Sequence, residues 1–366
     1  MLFSPFKLRD LALPNRIVVS PMAQFSARNG CATSWHLMHL GSLAVSGAGL
    51  LITEAAAVHP NGLGTPGDLG IWSDEHAAAL EPVIEFCRSH GGARLGMQIY
   101  HSGRKGSITV AWEKQRYIPK DKGGWTTYGA SPIPYPGRGD PVVLDRQGID
   151  EVIACFVAAA RRVDRLGFDL LELHAAHGYL LHNFLSPLTN QRGDEYGGGS
   201  AARMRFALET FKAVREAWPE RKPLGVRISA TDWAEGGWDI EDSIKFSRAL
   251  REFGCDYVSA SSGGAVAEQK LNVYPGYQVP FAGRIRKEAE IATMAVGLIT
   301  EPRQAEEIIA TGQAELVALG RGMLYNPRWP WHAAVELGEE YFCPPQYLRS
   351  HPAMRSVDFL KPNRPA

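Results

Sequence analysis

Cysteine is scarce in this sequence, and none of it forms a recognisable motif. The 366 residues include five cysteines, which are Cys31, Cys87, Cys155, Cys255 and Cys343. They lie far apart and are odd in number, and no Cys-x-x-Cys pair or Cys/His zinc spacing occurs among them. The sequence therefore does not indicate a disulfide framework, and we expect free, buried thiols in a reducing, cytoplasmic environment.

An excess of charge and long hydrophobic runs are also missing. Lys and Arg together number 39, as do Asp and Glu, so the formal charge gives no argument for nucleic acid or an anionic membrane as partner. The first residues lack the apolar core of a signal peptide. The stretch 40–58 is nearly long enough to cross a bilayer, but Glu54, Gly47 and Gly49 interrupt it. We interpret it as a helix end, a turn and a buried strand.

The sequence does contain a regular alternation of short apolar runs with amphipathic stretches. Eight strands are predicted over 17–20, 50–54, 94–100, 170–174, 224–229, 257–260, 293–296 and 316–319. Most are continuous apolar runs, as expected of strands covered on both faces. Helices are predicted over 34–46, 74–90, 149–166, 200–218, 240–253 and 302–311.

Eight repeated βα units predict an α/β fold of the (β/α)8 TIM-barrel type, with 1–366 as a single domain. The alternative is an open doubly wound sheet. It is less favoured because no glycine-rich dinucleotide turn follows the first strand. The segment 107–140 lacks periodicity and is rich in Gly, Pro, Trp and Tyr, so we predict a long excursion over the barrel mouth after strand three.

The most informative stretch begins where the fourth predicted strand ends. His174 and His177 stand three residues apart there, and Tyr179 follows two residues later. Chemistry in such barrels collects at the carboxyl ends of the strands, where these groups would hold and protonate a carbonyl-like substrate. A metal site is the less favoured alternative, because zinc normally needs three protein ligands and the conceivable third ones are His182 and His101.

Two other strands carry polar side chains suited to a cofactor ring. Arg227 lies in an otherwise apolar strand, and a buried cation must be paired. It either forms an ion pair with Glu172 or Glu54, or it faces an electron-rich ring. Gln98 has an amide that both donates and accepts, as the edge of such a ring requires.

Glycines at the ends of strands seven and eight indicate a phosphate site. Gly297 and the Gly320-Arg321 turn each precede a helical segment, where backbone amides and a guanidinium can bind phosphate. The alternative is that these glycines only make tight turns.

Together these residues resemble the Old Yellow Enzyme family of FMN-dependent ene-reductases, in particular the branch of xenobiotic reductase A and the thermophilic-like enzymes. The resemblance runs nearly end to end. It is carried by the stretches 2–6, 15–22, 69–76, 98–105, 174–187, 194–198, 275–279 and 320–321.

The resemblance implies an FMN bound noncovalently across the barrel mouth. The residues implied to line it are Pro21, Met22, Ala23 and Ala56 at the ring, Gln98 at the pyrimidine edge, Arg227 near N1, and Gly297, Gly320 and Arg321 at the phosphate. His174 and His177 would hold the carbonyl or nitro oxygen of the substrate, and Tyr179 would be the proton donor. No metal is implied.

The implied activity is a ping-pong reaction in which NADPH or NADH reduces the flavin. The reduced flavin then reduces activated C=C bonds of enones or nitro compounds, and quinones are further acceptors. Arg349 stands where this branch has an arginine that reaches the neighbouring subunit's site. A homodimer or a dimer of dimers is therefore expected, with the segment 340–366 at the interface.

Two positions depart from the branch pattern. Ala23 stands where cysteine is usual, and Phe25 stands where tyrosine is common. The first change removes a thiol that tunes the flavin potential, and the second removes a hydroxyl that contacts the substrate. Two other functions remain as alternatives: a non-redox barrel lyase or isomerase that uses His174 and His177 as acid and base, and a non-catalytic flavin-binding protein.

Overall fold

The computed structural model describes residues 1–114 and 116–350. Within these ranges eight parallel strands close into a barrel. The strands are β1 Ile17–Val19, β2 Leu50–Ala57, β3 Arg94–Tyr100, β4 Leu170–Ala175, β5 Leu224–Ser229, β6 Tyr257–Ser261, β7 Ala292–Ala295 and β8 Leu316–Leu319. Each strand pairs with the next, and β8 closes the ring by pairing Val317 with Ile17 of β1. The predicted (β/α)8 barrel is confirmed.

Ten α-helices connect and cover the strands in the described part of the chain. They are α1 Ser34–Ala44, α2 Asp74–His90, α3 Arg146–Arg165, α4 Leu180–Leu185, α5 Ser200–Ala217, α6 Ile240–Glu252, α7 Val279–Ala289, α8 Pro302–Ala310, α9 Arg321–Tyr325 and α10 Trp329–Leu337. None of these helices is both long and apolar enough to span a bilayer. The stretch 40–58 comprises the end of α1, a turn and β2, as predicted.

A hairpin of Phe6–Leu8 and Leu11–Leu13 covers the amino-terminal end of the barrel. Its leucines pack against the first residues of several strands, including Leu50, Leu170 and Tyr257. Burial of these apolar side chains closes that end of the barrel to water. The opposite, carboxyl-terminal end remains available for a site.

The segment 101–145 forms the predicted excursion between β3 and α3. It contains short 3-10 turns at Gly103–Lys105, Ala111–Glu113 and Lys120–Lys122 and a two-residue ladder of Tyr128–Gly129 with Val142–Val143. Arg104 attaches this segment to the barrel mouth by donating to the carbonyls of Ile133 and Ala265. The single-domain assignment of 1–366 stays a prediction, because 351–366 lie outside the described residues.

Several element boundaries differ from the predicted ones for local reasons. β2 continues to Ala57 because Ala55–Ala57 keep pairing with β3 after a register shift at Thr53. α3 begins earlier than predicted, since the Asp145 side chain accepts the Gly148 amide as an N-cap. α7 was not predicted from the sequence.

The five cysteines carry free thiols, and they differ in burial. Cys87 and Cys255 are buried, whereas Cys31, Cys155 and Cys343 are half-buried. The expectation of buried thiols is therefore right for two cysteines and wrong for three, which lie in loops or on a helix face that packs only partly.

Candidate active site

A cavity of about 290 Å³ opens at the carboxyl ends of the strands, between β5 and β1. Six predicted cofactor residues line it together: Pro21, Met22, Arg227, Gly297, Gly320 and Arg321. Its wall also includes residues for which no role was predicted, namely Ser20, Ser261, Tyr277, Gln278 and Thr300. Ala23, Ala56, Gln98 and Phe25 do not line this cavity.

Glycines leave one wall of the cavity without side chains. A Cβ placed on Gly320 would approach only Met22, at 3.7 Å, and one on Gly322 would approach only the carbonyl of Ile299, at 3.8 Å. Gly297 has a φ of +118°, which side-chain-bearing residues rarely adopt. The open backbone here suits a phosphate group, and Arg321 lies at its outer edge.

A polar layer inside the barrel lies beneath the cavity. The carboxylate of Glu172 accepts hydrogen bonds from Gln98 Nε2 at 2.6 Å and from the Tyr257 hydroxyl at 3.1 Å. Burial raises the pKa of Glu172, and the positive charge of Arg227 acts in the opposite direction. Gln98 is therefore held in place by its neighbour strand, and its amide oxygen accepts no hydrogen bond from the part of the chain that the structure describes.

Arg227 is only partly satisfied by the protein. Its Nη1 donates to Ser20 Oγ at 2.9 Å, and its Nε has no partner among the described residues. The negative charge of Glu172 raises the pKa of Arg227, but the two side chains lie beyond ion-pair distance. Glu54 contacts His36 instead. The predicted alternative of an ion pair with Glu54 is wrong, because that carboxylate faces α1. Arg227 also lines the cavity.

The segment after β1 is fixed by a contact with β2 and α1. The amide of Gln24 donates to Glu54 Oε2 at 3.0 Å, and His36 Nε2 lies 3.2 Å from Glu54 Oε1. The same imidazole accepts the Thr33 amide at 2.9 Å through Nδ1, which completes the N-cap of α1. The backbone next to Ala23 is thus fixed through the Gln24 amide, while Ala23 itself is exposed.

The two histidines at the end of β4 form a hydrogen-bonded pair. His174 Nε2 lies 3.1 Å from His177 Nδ1, and His177 Nε2 lies 2.7 Å from Ser261 Oγ. Because His174 Nδ1 accepts the Ala176 amide, the consistent assignment has protons on both Nε2 atoms. Burial, followed by neighbouring positive groups, lowers the pKa of both imidazoles well below 6.5, so both are neutral at pH 7.

Tyr179 lies beside this pair, at the start of α4. Its ring is 4.8 Å from the ring of His174 and 5.2 Å from that of Tyr100, centroid to centroid. The hydroxyl has no hydrogen-bond partner among the described residues. Burial, with a smaller contribution from Asp68, raises its pKa above the usual value, so the phenol keeps its proton. It can therefore act as a proton donor.

The candidate third metal ligands have other partners. His182 Nε2 lies 3.1 Å from Asp232 Oδ1, and its Nδ1 accepts the Gly178 amide. His101 Nδ1 accepts the Gly103 amide. Within 1–114 and 116–350, no three His, Cys, Asp or Glu side chains converge to hold a metal ion.

Two predicted substrate residues lie apart from the cavity. Phe25 has a φ of +50° and an edge-on ring contact with Trp112 of the excursion, at 6.0 Å. Arg349 is exposed on the 3-10 turn Pro345–Ser350. Its contact with a neighbouring subunit stays a prediction.

Ser261 and Gln278 are the site residues that sequence reasoning missed. Ser261 accepts the hydrogen bond from His177, and Gln278 Oε1 lies 3.4 Å from Ser261 Oγ and 2.6 Å from Ser262 Oγ. Ser261 is the last residue of β6 and Ser262 follows it, so a position at a strand end was the available signal for the serines. Gln278 directly precedes α7, and no strand end marks it.

Comparisons with known proteins agree with this arrangement. Residues 1–340 match the profile of the NADH:flavin oxidoreductase / NADH oxidase family. The chain is 44% identical over 352 residues to an NADPH dehydrogenase of Geobacillus sp. (strain WCH70), covering 95% of this chain and 98% of that relative. It is 43% identical over 351 residues to an NADPH dehydrogenase of Listeria monocytogenes serotype 4a (strain HCC23), with the same coverage.

Solved structures show the same architecture. Morphinone reductase superposes with a TM-score of 0.77 at 26% identity, covering 93% of this chain and 90% of that chain. A 2-naphthoyl-CoA reductase complex superposes with a TM-score of 0.82 at 25% identity, covering 92% of this chain but 52% of that longer one. The fold is therefore shared with these two reductases.

Proposed function

The chain belongs to the NADH:flavin oxidoreductase / NADH oxidase family, the Old Yellow Enzyme family, and on this premise we propose that it is an ene-reductase. It is an FMN-dependent oxidoreductase that takes its electrons from NADPH or NADH. The proposed substrates are enones, nitro compounds with an activated C=C bond, and quinones. The observation that carries the proposal is the neutral His174–His177 pair with Tyr179, next to a glycine-walled cavity that contains Arg227.

The cavity fits FMN on two independent features. The bare backbone at Gly320 and Gly322 leaves room for the phosphate, and Arg227, whose Nε has no partner among the described residues, lines the same cavity. When bound, FMN supplies hydride transfer from the nicotinamide to the alkene. Pro21, Met22, Ala23 and Ala56 are proposed to line the ring, with Gln98 at its pyrimidine edge and Arg321 at its phosphate.

Arg227 is proposed to stabilise negative charge during reduction. Its guanidinium is fixed by Ser20 and stays protonated, although burial lowers its pKa. A preorganised cation in a site that excludes water stabilises developing charge without reorganisation. The polar layer of Glu172, Gln98 and Tyr257 beneath it keeps this part of the barrel rigid.

His174 and His177 are proposed to bind the substrate oxygen. A carbonyl or nitro oxygen accepts from the Nε2–H groups of both imidazoles, in place of the bonds that these groups make to His177 Nδ1 and Ser261 Oγ. Because both imidazoles are neutral, substrate binding desolvates no additional charge on the protein. Polarisation of the oxygen withdraws electrons from the β-carbon, and the Tyr179 hydroxyl delivers a proton to the α-carbon.

The non-redox alternative loses support from the position of Lys105. Among the described residues it is the only lysine close to the carboxyl end of a barrel strand, as a lyase would require, but its ammonium group donates to the backbone carbonyls of His177 and Gly264. A non-catalytic flavin-binding protein remains distinguishable by experiment, because it would hold FMN without turning over an enone.

The direct test is purification of the protein, followed by spectroscopy and turnover. We expect flavin absorbance and oxidation of NADPH or NADH that depends on 2-cyclohexenone. A colourless protein that added FMN does not reconstitute would remove the proposal. A yellow protein without enone turnover would favour the non-catalytic alternative.

A second test addresses the histidine pair. Phenols bound over the flavin give a long-wavelength charge-transfer band, and we expect His177→Ala and His174→Ala to weaken binding of the phenol. His332→Ala, at an exposed position on α10, is the matched control. An unchanged phenol titration in the two site variants would contradict the oxygen-binding role.

The assembly is proposed to be a cytoplasmic homodimer or dimer of dimers. The exposed position of Arg349 leaves its guanidinium accessible to a second copy. Sedimentation of the wild-type protein tests the assembly. A monomer with full activity would exclude a role for Arg349 across an interface.

A further inference from the structure

His177 and Gly178, the two residues on either side of one peptide unit in the loop after β4, both have a positive φ. His177 has a φ of +58° and Gly178 a φ of +75°. Positive φ is disfavoured for a residue with a Cβ, so His177 needs support from its surroundings to stay there. This peptide lies between the imidazole of His177 and the phenol of Tyr179, so its orientation sets how the two groups face each other.

Both polar ends of this one peptide unit are hydrogen-bonded by side chains. Lys105 Nζ donates to the His177 carbonyl at 2.9 Å. On the other side, the Gly178 amide donates to His182 Nδ1 at 2.8 Å. A rotation of the peptide plane would break both bonds together.

Each of the two side chains is itself held in place. Lys105 Nζ also donates to the Gly264 carbonyl at 3.0 Å, and it lies 4.7 Å from the ring centroid of Tyr135. No carboxylate lies within 4.0 Å of this ammonium in the described residues. His182 and Asp232 are fully buried, and Asp232 Oδ2 accepts from Ser186 Oγ at 2.6 Å.

The lysine connects two loops that touch through their backbones. A Cβ on Gly178 would lie 2.2 Å from the Gly264 carbonyl oxygen, and a Cβ on Gly264 would lie 2.6 Å from the His177 Cα. Lys105 thus bridges the loop after β4 and the loop after β6 at their point of closest approach, and it comes from the turn after β3.

We propose that Lys105 is a positioning residue of the active site, acting with His182 to fix the His177–Gly178 peptide and so to aim the His177 imidazole. Lys105 contacts neither the substrate oxygen nor the carbon that Tyr179 protonates. It acts through His177, and the ammonium group is used for hydrogen bonding rather than for proton transfer.

The test is a double-mutant cycle on phenol binding with the FMN-loaded protein. The four proteins are wild type, Lys105→Met, His177→Ala and the double variant, titrated with 4-hydroxybenzaldehyde and followed by the charge-transfer band. Methionine keeps the apolar stem beside Tyr135 and removes the donors. Lys122→Met, on an exposed turn of the same excursion, is the matched control.

Lys105→Met should weaken binding about 10-fold in the wild-type background, as loss of a charge-assisted hydrogen bond does. In the His177→Ala background the same change should alter binding less than about 2-fold, because the group through which it acts is gone. Equal weakening in both backgrounds, or none in the wild-type background, would overturn the inference. Lys122→Met should bind like wild type.

Bound FMN and the melting temperature show whether each variant is folded. If Lys105→Met does not retain FMN, the same cycle is run with Lys105→Gln, whose single shorter amide cannot reach both carbonyls. The inference rests on the proposed function. A wild-type protein without flavin or without a phenol band would refute that function, whereas an additive cycle in an active wild type would refute only the role of Lys105.

Discussion

Replacing Gly178 with alanine should separate backbone strain from steric overlap at the active-site loop. Gly178 and Gly198 have nearly the same positive φ, +75° and +76°. A Cβ on Gly178 would lie 2.2 Å from the Gly264 carbonyl oxygen and 3.1 Å from the Ala265 Cα, whereas a Cβ on Gly198 meets nothing within 4 Å. The Gly198→Ala protein is therefore a matched control for the conformational strain alone.

The expected magnitudes follow from these two environments. A left-handed alanine costs roughly 1–2 kcal/mol, and this applies to both variants. Overlap with rigid backbone adds about 1–3 kcal/mol at Gly178 only. We therefore expect Gly178→Ala to lower the free energy of unfolding by roughly 2–5 kcal/mol and Gly198→Ala by roughly 1–2 kcal/mol.

The assay is urea unfolding of the FMN-loaded proteins, followed by tryptophan fluorescence, with reversibility checked by dilution. Movement of the loop after β4 away from Gly264 could relieve part of the overlap, and it would then appear as weakened phenol binding. Equal losses of unfolding free energy in the two variants, together with unchanged phenol binding by Gly178→Ala, would refute the backbone contact.

Three further outcomes are expected. Burial lowers the pKa of His101 to about 3. Between pH 6.5 and about 3 the unfolded chain binds a proton at this residue that the folded protein does not bind, so the free energy of unfolding decreases as the pH is lowered through this range. His101→Gln should flatten this loss in urea titrations, unlike the exposed His332→Gln. Gly320→Val should weaken FMN binding at least about 10-fold by filling the bare wall, measured by fluorescence titration. Ala23→Cys should shift the FMN reduction potential, measured by dye equilibration; coincident potentials would exclude tuning at residue 23.

The barrel was predictable because its strands are unusually distinct in the sequence. Runs such as those at Ile17 and Leu316 are short and apolar throughout, a combination that is typical of strands buried on both faces. α7 was less visible, since it begins at Val279 directly before Pro280 and after a loop rich in glycine and tyrosine. Local pattern does not distinguish such a start from a turn.

The candidate site was predictable as a set of residues at strand ends, but the hydrogen bonds between those residues and their partners were not. His174, His177 and Tyr179 were predicted from their position at the end of β4 and just beyond it, and the cavity brings Arg227 together with Gly297 and Gly320. The partners of these residues come from distant segments. Ser261, which bonds His177, is 84 residues away along the chain, and no periodicity records such a pairing.

One nitrogen of the His36 imidazole accepts the Thr33 amide at the start of α1, and the other contacts Glu54, which in turn holds the segment after β1 through the Gln24 amide. A substitution of His36 would therefore have two structural effects at once. Loss of the acceptor for the Thr33 amide would fray the start of α1, and loss of the contact with Glu54 would loosen the carboxylate that holds Gln24. Directed evolution for new substrates should therefore leave His36 constant. Diversity is better introduced at Phe25, whose half-buried ring faces Trp112 rather than the interior of the barrel.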